Sequence, residues 1–148
     1  MPEKETLERA EKDKREGKAA STQAGEFVRE EIEHVREGKH GARSSKQAIA
    51  IGLSKARRAG VELPPPEEGA APEKTREQAA RDTRKGKSAG KGKKSAKRSR
   101  ASARALKREG RSAASKKALS RQARSAAAKR SAASRSRSAK KAAATRKK

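Results

Sequence analysis

The sequence predicts a mostly α protein. A small helical hairpin, with helices over about 22–37 and 45–59 and a further helix over 3–16 before it, leads into a largely disordered, conditionally helical basic tail. Three observations carry this expectation. Large apolar residues at helical spacing are confined to the first 63 residues, and beyond them only Leu106 and Leu119 remain. Residues 84–148 hold 26 Lys or Arg against one acid, Glu109, while the first 83 hold 17 basic and 17 acidic residues, so the tail carries the whole net charge of +25. Aromatic residues are nearly absent: one Phe, no Tyr and no Trp in 148 residues. A dozen large apolar side chains, each contributing about 1.5–3 kcal/mol when buried, cannot offset ordering entropy of roughly 1–2 kcal/mol per residue over the whole chain. The expected ordered unit is therefore about 40 residues, marginal alone, with a disordered remainder. Three regions follow: a helical region 1–63, a Pro-rich acidic linker 64–83 and a Lys/Arg/Ala/Ser tail 84–148.

The first helix rests on i,i+4 pairs, Glu5/Arg9, Glu8/Lys12 and Glu11/Arg15, each worth a few tenths of a kcal/mol. Only Leu7 and Ala10 can face a core, so the helix is marginal, and Gly17 ends it. The second helix has Ser21 or Thr22 as caps and one apolar stripe of Ala24, Phe27, Val28, Ile32 and Val35, with Glu31 on the same side. Acids dominate its early and middle turns, Arg36 and Lys39 sit at its end, and Gly38 is a stop signal. Ser44 and Gln47 fit a capping box for the third helix. Its inward face is Ala48, Ile49, Gly52, Leu53 and Ala56, with Gly52 allowing close helix approach, and Gly60 then Val61 resemble a Schellman ending. Ile51 lies off the stripe, either exposed or placed to meet helix one or a second protomer. Two such helices joined by a short loop form an antiparallel hairpin.

Pro64, Pro65 and Pro66 favour a stiff extended segment, and residues 67–83, with five acids against three bases, read as a spacer. In the tail, Lys, Arg, Ala and Ser fill 56 of 65 positions without proline. Like-charge repulsion opposes a helix there, and phosphates would relieve it.

A cation of this density calls for a polyanion, and duplex DNA is the leading partner, with RNA as the alternative. The candidate phosphate-binding residues are Arg43, Lys46, Lys55, Arg57 and Arg58 in the front half, with Arg57 and Arg58 foremost on an exposed helix end. In the tail they are Lys93, Lys94, Lys97, Arg98, Arg100, Arg104, Lys107, Arg108, Lys116, Lys117, Arg121, Arg124, Lys129 and Arg130. Single-strand readers stack bases on aromatic side chains. The tail has none, so sequence-independent duplex binding fits better. His40, Arg43 and Lys46 surround the N-terminus of the third helix, where a phosphate could bind, although an ordinary capped turn explains the same residues.

No cofactor and no metal site is expected: there is no cysteine, and His34 and His40 stand six apart, with His34 read as an i,i+4 surface pair with Glu30. Glu30, Glu31, Glu33 and Glu37 read as a solvated helix face, and no nucleophile has an adjacent base, so an enzyme is not expected. The serines of the Arg-Ser runs, Ser134, Ser136 and Ser138, could accept phosphate but read first as small spacers. The absence of an apolar span predicts no membrane insertion and a cytoplasmic location, on the nucleoid in a bacterial host.

The stretch 43–60, RSSKQAIAIGLSKARRAG, resembles the signature of a family of small basic bacterial proteins of uncharacterised function, and the likeness extends over residues 1–66. Residues 84–148 are similar in composition to linker-histone C-terminal tails, from which they differ in lacking Pro and being Arg-rich. The family likeness bears on architecture, and with the charge of the tail the leading reading is a histone-like, nucleoid-associated DNA-binding protein. Two alternative readings are an RNA- or ribosome-associated basic protein, and a protein-interaction module whose helices 22–59 bind a partner or a second copy while the tail anchors it.

Overall fold

The computed structural model describes residues 1–88 and 95–146, and helices are distributed along all of these residues. Seven α-helices follow in order among them: α1 Lys4–Arg15, α2 Ala20–Glu37, α3 Ser45–Arg58, α4 Glu73–Lys87, α5 Ala96–Lys107, α6 Lys116–Ala128 and α7 Ala132–Arg146, with a 3-10 turn Ser112–Ala114 before α6. The expected hairpin is present, but the expected disordered tail is not. The fold is all-helical across the described chain.

α2 and α3 pair around Phe27, which is almost fully buried with Ala24, Ala56, Val61 and Ala10. A Cβ on Gly52 would fall 2.6 Å from Val28 Cα, so the glycine sets the closest approach of the two helices. Ser44 caps α3 by accepting from the Gln47 N–H at 3.2 Å, while Gln47 Oε1 accepts from the Arg43 N–H at 2.7 Å. The Schellman ending of α3 is complete: the Val61 N–H reaches the Ala56 carbonyl and the Gly60 N–H reaches that of Arg57, each at 3.1 Å. α2 ends the same way at Gly38, whose φ is 77°. Its start differs from expectation. Ala19 is the N-cap residue, no side chain caps it, and Ser21 and Thr22 lie inside the first turns.

α1 docks on α2, but through Thr6, Ala10 and Asp13 rather than Leu7, which is exposed. Arg9 joins the two helices by donating to Glu26 at 2.7 Å. The acidic spacer is corrected as well. Residues 64–71 are irregular, but α4 follows and packs on α3. Gly86 makes this possible, since a Cβ there would sit 2.0 Å from the Arg57 carbonyl oxygen. Ile51 is half-buried and shares a helical face with Ser54 and Arg58, the face that α4 covers.

The largest correction concerns the tail. Ala113 and Ala114 are buried with Ile32, Val35, Ala42 and Ala48, and Val28 and Leu119 pack against this cluster. The hairpin leaves an apolar face between α2 and α3, and two alanines are small enough to enter it. Polar contacts pin them: the Ser45 hydroxyl donates to the Ala113 carbonyl, and Arg36 Nε donates to the Ala114 carbonyl at 2.9 Å. The tail serines are helix caps. Ser95 accepts from the Arg98 N–H at the start of α5, and Ser115 from the Ala118 N–H at the start of α6. Ser131 plays the same part before α7. With Ala, Lys and Arg favouring helix between such caps, the segments are helical without a partner.

Candidate nucleic-acid interface

The front-half cations divide into committed and free ones. Arg57 is buried, not exposed. Its guanidinium donates to the carbonyls of Leu63 at 3.2 Å and Pro64 at 3.1 Å, tying the proline run back onto α3. Burial holds it below the usual arginine pKa, against the opposing pull of the Asp82 charge. Arg58 is partly exposed, but its Nε donates to Asp82 at 2.7 Å. Asp82 also accepts from Ser54 at 2.7 Å and Gln78 at 3.1 Å. Lys55 lies 2.6 Å from Glu31 and 3.2 Å from Glu30. Burial pushes its ammonium down, but the hydrogen bonds and charges of the two glutamates outweigh this and raise its pKa. These three cations hold the helical body together, and phosphate would have to displace carboxylates or carbonyls already in place.

Arg43 and Lys46 are exposed, and the fold gives them company that the sequence did not reveal. They line an open groove of about 530 Å³ together with Lys117 and Arg121 of α6. The N-termini of both α3 and α6 end there, with the capping serines Ser44 and Ser115 in the lining. First-turn N–H groups have no intrahelical partners, and helix dipoles add partial positive charge. The turn before α3 is thus also a capped turn, and four cations surround two such turns. Arg43 keeps a loose tie, 3.6 Å, to Glu109, the tail's lone acid.

The described tail candidates Lys97, Arg98, Arg100, Arg104, Lys107, Arg108, Lys116, Lys117, Arg121, Arg124, Lys129 and Arg130 are all exposed. Lys93 and Lys94 lie outside the described residues. No residue of α5, α6 or α7 is fully buried, and α7 is exposed along its whole length apart from Ser134. Arg130 spans the start of α7 by donating to the hydroxyls of Ser134 and Ser138. Ser134 therefore has a partner and is more than a spacer.

A second groove, about 670 Å³, runs between the α2–α3 loop and the α5–α6 turn, with Lys39, His40, Lys107 and Arg111 facing Glu37 and Glu109. Its charge is mixed. Two backbone bonds close it: the Gly41 N–H to the Leu106 carbonyl at 2.9 Å and the Ala42 N–H to the Gly110 carbonyl at 3.0 Å.

Of the acids of α2, Glu33 and Glu37 are open to solvent as expected, but Glu30 and Glu31 are not. Glu30 and Glu31 are only 2% and 1% exposed, so they are interior groups with partners. Burial pushes Glu30 up, but the Glu3 N–H, Thr6 and Lys55 more than compensate and leave it below the usual carboxylate pKa. His34 pairs with Glu3 at 2.9 Å, not with Glu30, and its ring meets that of His40 edge-on at 6.0 Å. Glu31, His34 and His40 offer ligand atoms within 4.8 Å of one another. The sequence signal for this cluster was Glu31-x-x-His34, which places both side chains on one helical face.

Residues 5–67 match the model of a family of unknown function, DUF6496. No curated protein and no solved structure matches the chain. The matched stretch covers α1, α2 and α3 and stops before α4 and the cationic helices. Among the described residues no helix is long and apolar enough to cross a membrane.

Proposed function

We propose that this chain is a histone-like protein that binds duplex DNA through sequence-independent phosphate contacts of its second half. The observation that carries the reading is the charge: 26 Lys or Arg against one acid over residues 84–148, with the described tail candidates exposed on helices and the turns that follow them. Duplex DNA presents one negative charge per roughly 1.7 Å of axis, and releasing its condensed counterions drives binding without base contacts. The absence of aromatic residues in the tail removes the usual means of reading single strands. The groove of Arg43, Lys46, Lys117 and Arg121 at two helix N-termini offers a preformed seat for backbone phosphates beside the exposed cations of α5–α7. In a bacterial host the protein would act on the nucleoid.

The test is binding of the full chain and of a 1–83 truncation to duplex DNA and duplex RNA across salt. The full chain is expected to lose about 10³–10⁵-fold in affinity from 50 to 200 mM salt if 6–10 phosphates are engaged, and the truncation to bind little at any salt. A flat salt response, or full affinity in the truncation, sinks the reading. Much tighter binding of duplex RNA at equal salt replaces it with the RNA-associated alternative.

A further inference from the structure

We infer that Glu31, His34 and His40 form a binding site for a divalent transition metal ion of the zinc class, at the joint between α1, α2 and the α2–α3 loop. His40 faces an oxygen at each of its ring nitrogens. Its Nδ1 lies 3.0 Å from the Gly41 carbonyl oxygen, and its Nε2 lies 3.1 Å from Glu31 Oε1. Both partners accept hydrogen bonds and neither donates. A neutral imidazole has one N–H and an imidazolium two, so a second cation, a proton or a metal ion, has to stand between the ring and one of these oxygens. A metal ion on Nε2 resolves this with Nδ1–H still donating to the backbone carbonyl, which is the usual outer support of a metal-bound histidine.

The surroundings favour a cation. Glu31 is almost wholly buried, and its Oε2 lies 2.6 Å from Lys55 Nζ, which leaves Oε1 turned to His40. Lys55 is shared with the buried Glu30, so two interior carboxylates lean on one ammonium. Glu3 brings a third carboxylate to His34, offset by Lys39 at 3.1 Å. With neutral imidazoles the cluster of Glu3, Glu30, Glu31, Lys39 and Lys55 keeps one negative charge.

The geometry is close to that of a bound site. In tetrahedral coordination with bonds of about 2.0–2.2 Å, ligand atoms stand roughly 3.3–3.5 Å apart. The His40–Glu31 pair is within a few tenths of an ångström of that spacing, and the three ligand atoms lie within 4.8 Å. Rotation of His34 about its side-chain bonds supplies the rest. Glu3, already 2.9 Å from His34 Nε2, or a water completes the set. Two imidazoles and a carboxylate without thiolate suit zinc, cobalt or nickel and not calcium or magnesium. His40 borders the groove that also holds Lys107 and Arg111, and a metal there would fix the loop whose Gly41 and Ala42 hold the tail backbone.

The chain has only two histidines and no cysteine, which makes the test specific. Full-length protein without a histidine tag is titrated with Co²⁺ and then Zn²⁺. One Co²⁺ per chain is expected, with visible absorption of a tetrahedral ion that Zn²⁺ displaces, and a raised melting temperature. His40→Gln and His34→Gln are each expected to weaken binding by at least about tenfold, in line with losses at metal shells. Glu31→Gln is the third variant, with its fold checked by circular dichroism because Glu31 also holds Lys55. Absence of stoichiometric binding, or binding equally strong in both histidine variants, overturns the site. A nitrogen NMR spectrum showing His40 doubly protonated at neutral pH in the presence of zinc overturns it too, by giving the place of the metal to a proton.

Discussion

At Gly41 the loop after α2 runs against the tail backbone and leaves no room for a side chain. A Cβ there would fall 1.9 Å from the Glu109 carbonyl oxygen and 2.8 Å from that of Gly110, both backbone atoms that cannot swing away. Gly41→Ala is therefore expected to push the α5–α6 turn off the loop. Amide exchange at Ala42, whose N–H bonds to Gly110, should then accelerate, while α2 and α3 keep their protection. Unchanged exchange at Ala42 would show that the turn accommodates the methyl group. Arg57 offers a second residue-scale contrast. Its replacement by Ala removes two hydrogen bonds from a charged, buried donor and is expected to cost about 1.5–3 kcal/mol in a denaturant melt. The slope of DNA affinity against salt should stay as it is. Arg121→Ala should do the reverse, with little change in stability and a slope smaller by about one.

At the scale of elements, α4 holds to α3 through Asp82, an acid with 1% exposure that accepts from Ser54, Arg58 and Gln78. Burial pushes this carboxyl up, but the three hydrogen bonds and the Arg58 charge outweigh it, and its pKa stands below the ordinary 3.8. A folded-state pKa below the unfolded value contributes stability that is complete above the unfolded value and lost as pH falls through the folded one. Stability should thus decline with acidification below about pH 4, and Asp82→Asn should flatten that limb of a pH series of thermal melts. An equally steep limb in the variant would assign it to other acids, Glu30 first. α4 also shows what the sequence could and could not convey. α2 and α3 were legible because Phe27, Val35 and Ala48 recur at helical spacing and Ser44, Gln47, Gly38 and Gly60 mark the ends. α4 has almost no apolar stripe: it is held by one buried acid, Ala79 and the missing side chain of Gly86, and none of these stands out in a hydrophobic pattern. Ala113 and Ala114 were hidden for a similar reason. Among many alanines of the tail, only the shape of the α2–α3 face selects these two. Likewise Arg57 stands in sequence beside Lys55 and Arg58, and nothing local tells it apart from the exposed Arg58. The His40 partner of Glu31 follows from the loop path, which periodicity does not describe.

The whole molecule joins a neutral body to a cationic half through a seam of a few small side chains and four main-chain carbonyls. Contacts such as Arg36–Ala114 close a loop of 78 residues. Closure entropy grows only logarithmically with loop length, so a weak seam suffices, with the hairpin formed first. Salt should act on the two functions of the tail in opposite directions. It screens repulsion among the cations of α5–α7, so thermal stability of the free protein is expected to rise with added salt while DNA affinity falls. A melting temperature that drops together with affinity would mean that ion pairs, not the apolar seam, hold the tail. Because Leu119 sits half-buried at that seam and the chain contains no Trp or Tyr, the protein is dark to conventional fluorescence. Leu119→Trp would install its single emitter at the boundary between body and tail, where the colour of one indole reports, in real time, whether the tail rests on its own helices or has been drawn away by a nucleic acid.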